Sequence, residues 1–244
     1  MNGLKYATAT TFLCIVSSFT IHAVEGNIFF REDFNDLTNW RHLVFPKIEQ
    51  HTSYDIQTDS KTSVLKATSS DSASALIYKK RFDVYEFPLI KWRWKVDNIY
   101  QKGDATTKEG DDYPLRIYIM FRYDPRKAGL FEKVKYRTAK LIYGEYPPHS
   151  SLNYIWSNKA YEQSVLTSSY TKKSKMIPLQ SGPLKIATWQ TEEVDVLEDY
   201  QRTFGTNPPS EASIAIMNDS DNTGESSVSY LDFIQVYRKN VTTN

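Results

Sequence analysis

Cysteine is all but missing from this chain of 244 residues, whose one thiol is Cys14. A disulfide scaffold, a Cys-rich zinc site and a thiol protease are therefore excluded. Charge of one sign is missing too, with Lys+Arg 30 against Asp+Glu 29. Broad electrostatic binding to nucleic acid or to an acidic membrane needs a basic surplus, so neither is expected. Gly 9 and Pro 10 are too few for a collagen or a low-complexity chain. Neither a G-x-S-x-G elbow nor an H-E-x-x-H pair occurs, and no Gly-rich phosphate loop follows a strand.

Long hydrophobic runs are also lacking. The longest, Ala7 to Ile21, is short and rich in Thr and Ser, unlike a membrane span. It follows the lone charge of Lys5 and ends at Ala23, the layout of a secretory signal peptide over residues 1–23. Cys14 has no small residue before it, which argues against lipidation. Cleavage after Ala23 removes Lys5, Cys14 and His22; taking Lys5 from 30 basic residues leaves 29 against 29 acidic. The expected product, residues 24–244, is a periplasmic or secreted single domain with no membrane span.

What is plentiful is aromatic surface: 14% of residues, with Tyr 17, Phe 12 and Trp 5. Flat rings pack well on pleated sheets. The dominant period is two. In Leu89–Val96, Ile90, Trp92, Trp94 and Val96 share one face while Lys91, Arg93 and Lys95 share the other. In Leu115–Arg122, Leu115, Ile117, Ile119 and Phe121 alternate with Arg116, Tyr118, Met120 and Arg122. Both patterns predict half-buried antiparallel strands. Ten further strands are expected at Ile28–Phe34, Thr52–Gln57, Ser63–Thr68, Ala75–Phe82, Leu152–Trp156, Ser164–Ser169, Lys175–Pro178, Gln190–Val196, Ser213–Met217 and Ser229–Tyr237. Their spacing predicts an all-β fold, a jelly-roll-like antiparallel β-sandwich. Helical spacing interrupts it at Leu130–Tyr143, before Gly144, and at Leu197–Thr203, before Gly205. The longest loop, Asn98–Pro114, carries Asp104, Glu109, Asp111 and Asp112 and is long enough to suggest a role.

Three groups of residues bear on chemistry. Asp219-Ser-Asp-Asn-Thr-Gly224 resembles the front half of a calcium loop, with oxygens at alternate positions and a Gly for the turn. Tyr230 stands where an EF-hand needs its closing Glu, so that motif is excluded; a plain polar turn or direct contact with a ligand are the other readings. Acidic residues also end the first and last strands, among them Glu32 and Asp232. By analogy with carbohydrate-binding jelly rolls, whose end strands adjoin, a structural calcium is expected on Asp219, Asp221 and Asp232. A cross-strand ion pair for Asp232 is the plainer alternative.

The third group is a polar strand face. Lys91, Arg93 and Lys95 project together, as do Arg116 and Tyr118, and as do Glu193 and Asp195. In one sheet they would form a charged, ring-dotted surface suited to a polysaccharide, with Arg gripping carboxylates and rings stacking on sugars. An ordinary solvated face with ion pairs is the alternative. The expected contacts are Arg116 and Tyr118 at the centre, with Arg93 on the same face and Trp156 and the Asp219–Asn222 loop, Asn222 included, at the rim.

Several runs occur in a set order: Tyr113-Pro-Leu-Arg-Ile-Tyr-Ile-Met-Phe121, Leu152-Asn-Tyr-Ile-Trp156, the Trp189 strand, Glu198-Asp-Tyr-Gln-Arg-Thr-Phe-Gly205 with Pro208-Pro209, and Ile214-Ala-Ile-Met-Asn-Asp-Ser-Asp-Asn-Thr-Gly224. Together they resemble the bacterial domain-of-unknown-function family 3047. That resemblance implies an exported protein of one domain and brings neither an activity nor catalytic residues. The leading expectation is a protein that binds a polysaccharide or cell-envelope glycan. The alternatives are a polysaccharide lyase or glycoside hydrolase on the same fold, with Tyr118, His149 or a carboxylate pair as acid and base, and an envelope structural protein with a protein partner.

Overall fold

The computed structural model describes residues 27–59, 62–126, 129, 133, 136–137, 140 and 146–240. The expected signal peptide lies outside the described residues, as does most of the expected helix at 130–143. Among the described residues, fourteen strands and one continuous helix follow in order: β1 Ile28–Glu32, β2 Trp40–Val44, β3 Ser53–Asp59, β4 Thr62–Ser70, β5 Ala73–Tyr78, β6 Phe82–Asp83, β7 Leu89–Val96, β8 Arg116–Phe121, β9 Ser150–Ser157, β10 Leu166–Thr167, β11 Ser174–Ser181, β12 Gln190–Asp195, α1 Val196–Phe204, β13 Glu211–Asp219 and β14 Ser226–Tyr237. Two sheets stack as a jelly-roll-like sandwich. The six-stranded sheet runs β12-β7-β14-β4-β3 with β1 beside β14; the eight-stranded sheet runs β10-β11-β9-β8-β13-β5-β2 with β6 beside β13. The first and last strands adjoin, as expected.

Alternation decides which residues meet between the sheets. β7 contributes Ile90, Trp92, Trp94 and Val96, each fully buried. They face Ile117, Ile119 and Phe121 of β8 and Leu152, Tyr154 and Trp156 of β9 within one core. The Trp94 and Trp156 rings lie 5.7 Å apart, and those of Trp92 and Tyr154 5.5 Å apart. Burial of such rings dominates the stability of a domain without disulfides. Trp94 also keeps its indole N–H satisfied, donating to Glu192 Oε1 at 3.1 Å.

One pair departs from the antiparallel expectation: β11 runs parallel to β9. The chain returns between them across the outer face of the eight-stranded sheet, where Tyr161 and Leu166 pack with Ala105, Tyr113, Ile155 and Met176. Helix α1 ends at Gly205 as expected, and its start is capped by Asp195, the last residue of β12. Asp195 Oδ1 accepts from Leu197 N at 3.0 Å and Glu198 N at 2.9 Å, and Gly205 closes the helix at φ 68°. No helix among the described residues is long and apolar enough to cross a membrane.

Candidate functional site

The outer face of the eight-stranded sheet is set by register. Its central row crosses Arg41, Ile77, Ala215, Tyr118, Asn153 and Met176. The next row runs Leu43, Ala75, Met217, Arg116 and Ile155. On the far side of the central row lie Ser213, Met120 and Ser151. Successive residues point to opposite faces, so Ile117 and Ile119 enter the core while Arg116, Tyr118 and Met120 face outward.

At one end of this face, two loops converge. The 98–114 loop is braced rather than loose: Tyr100 N donates to Asn158 Oδ1 at 2.9 Å, Asn158 Nδ2 donates to Asp112 O at 2.7 Å, and Ala105 N donates to Tyr161 OH at 2.7 Å. Gly103 permits that closeness, since a Cβ there would lie 2.0 Å from Asn158 Nδ2. The 219–224 turn closes through Gly224 at φ 67°. The Asp112 carboxylate stitches the two together, accepting from Thr223 N at 2.6 Å, Asn222 N at 3.0 Å and Asn222 Nδ2 at 2.9 Å. Tyr170 OH donates to Asn222 Oδ1 at 2.9 Å from above.

Beneath them lies Arg116, buried and charged. Its guanidinium donates to Asp219 Oδ2, stands 3.9 Å from Asp111 Oδ2, and lies between the rings of Tyr113 at 4.8 Å and Tyr118 at 5.1 Å. Asp219 Oδ1 has no hydrogen-bond partner among the described residues. One oxygen each from Asp112, Asp219 and Asp221 lies within 4.8 Å of the others. Burial pushes Asp219 well above the usual carboxylate range despite Arg116, and burial followed by the Asp112 charge pushes Asp221 up.

At the other end of the face a groove of about 870 Å3 opens. Ile77, Met120 and Ser213 lie along it, with the rings of Phe45, Tyr123 and Tyr146. Arg41, Lys79, Arg81, Arg122 and Lys140 supply its charge.

The expected surface thus divides. Arg116 and Tyr118 share one face with Asp219, Asp221 and Asn222, but Arg93 belongs to the six-stranded sheet, where it pairs with Asp232 at 3.0 Å. The two Arg strands do not adjoin in one sheet, and the β7 face is an ion-paired one, with Lys91 on Glu193 at 3.0 Å. Asp232 takes the cross-strand pair and lies apart from the acidic cluster. Trp156 is fully buried between the sheets, because its position in β9 alternates with outward Ile155, so it forms no rim. Arg116 is itself 5% exposed, a support beneath the surface rather than an open contact. Asp112 and the groove escaped sequence reading. Asp112 meets Asn222 across 110 residues, and the only signal was its place in an acidic loop.

The chain matches the model of the family described as "Protein of unknown function (DUF3047)" over residues 38–235. It belongs to that family. The match spans both sheets, the acidic cluster and the groove. No curated protein matches the chain. Among solved structures it is similar to the cellulose induced protein Cip1, at 11% identity and TM-score 0.47, covering 88% of this chain and 100% of that one. It is similar to a family 11 carbohydrate-binding module from Clostridium thermocellum in complex with a beta-1,3-1,4-mixed-linked tetrasaccharide, at 12% identity and TM-score 0.38, covering 84% and 92%. Endoglucanase 3 of Trichoderma harzianum, from family GH12, is similar at 6% identity and TM-score 0.38, covering 83% and 99%.

Proposed function

We propose that this protein is a carbohydrate-binding-type β-sandwich protein that holds a polysaccharide or envelope glycan on the outer face of its eight-stranded sheet. The observation that carries the proposal is the groove of about 870 Å3 on that face, where apolar Ile77 and Met120 lie among the rings of Phe45, Tyr123 and Tyr146. Sugar rings present apolar C–H faces that stack on such side chains, while their hydroxyls need polar neighbours. Tyr118 continues the surface in the same row as Ile77, and Asn222 lies at the acidic end. Export through residues 1–23, with 24–244 as one periplasmic or secreted domain, belongs to the same proposal.

A structural calcium at Asp112, Asp219 and Asp221 forms part of it. Three hard oxygen donors within 4.8 Å suit a cation with ligands at about 2.3–2.6 Å, and the unpartnered Asp219 Oδ1 is a donor that a cation would satisfy.

The test is native electrophoresis of the protein through gels cast with single polysaccharides, each stained afterwards for polymer. Retardation over intact polymer in at least one gel is expected, weakened by Met120→Asp. A cleared zone around the band would make the protein a depolymerase. Unchanged migration in every gel would overturn the proposal and turn attention to protein partners.

A further inference from the structure

The charge of this groove is not the charge of the protein. The whole chain is within one unit of neutrality, yet the groove gathers three arginines and two lysines and, among the described residues lining it, no carboxylate. Their commitments differ. Arg122 pairs with Glu211 at 2.6 Å, Lys79 donates to Thr38 O at 2.6 Å, and Lys140 stands 4.6 Å over the Tyr146 ring. Arg81, exposed, makes no ion pair among the described residues.

Hydrogen-bond inventory narrows the ligand. Arg and Lys are donors only, and Ser213 and the tyrosine hydroxyls are the groove's side-chain acceptors. Neutral sugars bring hydroxyls that must both donate and accept. A groove of donors is completed by a ligand that brings acceptors, and a planar guanidinium matches a carboxylate with two parallel bonds. The apolar strip of Ile77 and Met120 needs a ligand that also has an apolar face.

We infer that the groove takes an acidic polysaccharide, a uronic-acid polymer whose ring faces lie along Ile77 and Met120 while its carboxylates meet the basic edge. This rests on the glycan proposal above and adds the substrate class. Charge density favours such a polymer over nucleic acid. Duplex DNA carries a charge about every 1.7 Å of axis, a density that five basic side chains around an apolar strip do not match. A polyuronate carries one charge per sugar and keeps a stacking face beside each.

The experiment measures retardation of the protein in gels of polygalacturonate, of the same polymer with its carboxyls reduced to alcohols, of neutral β-glucan and of duplex DNA. Arg81→Glu and Lys140→Glu, both exposed substitutions, are run beside it after circular dichroism shows the native spectrum. Retardation by polygalacturonate, at least about tenfold weaker for the reduced polymer and for Arg81→Glu, is expected, because a charge-assisted bond of this kind is worth roughly a factor of ten or more. Equal retardation by the reduced polymer or by β-glucan would overturn the acidic class and leave the glycan proposal standing. Stronger retardation by DNA would replace it with polyanion binding. No retardation by any polysaccharide would remove both.

Discussion

Arg116 and Asp219 form a buried ion pair between adjacent strands, with side chains 7% and 1% exposed. Register explains it: Arg116 of β8 stands opposite Met217 of β13, and Asp219 lies two residues further on the same outward face. Asp219 turns Oδ2 to the guanidinium, while its Oδ1 has no hydrogen-bond partner among the described residues.

Breaking such a pair strands the surviving charge. Arg116→Met should cost about 3–5 kcal/mol, whereas replacing both partners with apolar residues should recover much of it. Urea unfolding of Arg116→Met, Asp219→Leu and the double variant tests this. Additive losses in the double variant would show that the two side chains are not coupled.

Calcium should stabilise the protein at the acidic end. At a concentration a hundredfold above its dissociation constant the gain is about 2.7 kcal/mol, read as a rise in Tm that EDTA reverses. Asp112→Asn and Asp221→Asn should each diminish the rise, while Asp232→Asn, on the other sheet, should leave it unchanged. An equal rise in all three variants would place the cation elsewhere.

Trp156 separates stability from binding. Fully buried against Trp94, it should cost about 3–5 kcal/mol as Trp156→Ala. The milder Trp156→Phe, still folded, should keep the retardation of the unmodified protein in polysaccharide gels. Loss of retardation without loss of stability would return this ring to the binding surface.

His42 should add to the protein's sensitivity to acid. Its Nε2 lies 2.9 Å from Ser74 Oγ and its ring meets Tyr54 edge-on at 5.9 Å. Partial desolvation of the ring first, and the charge of His51 second, hold its pKa below the ordinary 6.5. The unfolded chain therefore binds this proton more readily, so the contribution is present above pH 6.5 and is lost as pH falls through the folded value. His42→Gln should show a smaller drop in Tm between pH 7 and pH 5. An unchanged drop would assign the acid sensitivity to other groups.

Alternation in Leu89–Val96 and Leu115–Arg122 was legible because a strand with one face in the core repeats every two residues, whatever its neighbours. The Gly205 end of α1 was legible for a similarly local reason, whereas its Asp195 cap read as part of the preceding strand. Strand β2, from Trp40 to Val44, was missed. Its exposed Arg41 and His42 mask the one inward Trp40, so no run of alternation announces it. The parallel return of β11 beside β9 has no local signal at all, because β10 and the crossing before it carry only scattered apolar residues.

The sequence by itself determined the class of fold and which residues of each strand face the core, since both follow from short-range periodicity. It also brought out the Asp219–Gly224 turn, whose Gly and alternating oxygens lie within one loop. Only the tertiary structure decided that Arg93 and Arg116 belong to different sheets, that Asp112 rather than Asp232 joins Asp219 and Asp221, and that Arg41, Arg81 and Arg122 gather around one groove. Strand order is settled by packing between segments far apart in the chain, and no local pattern records which strand becomes the neighbour of which.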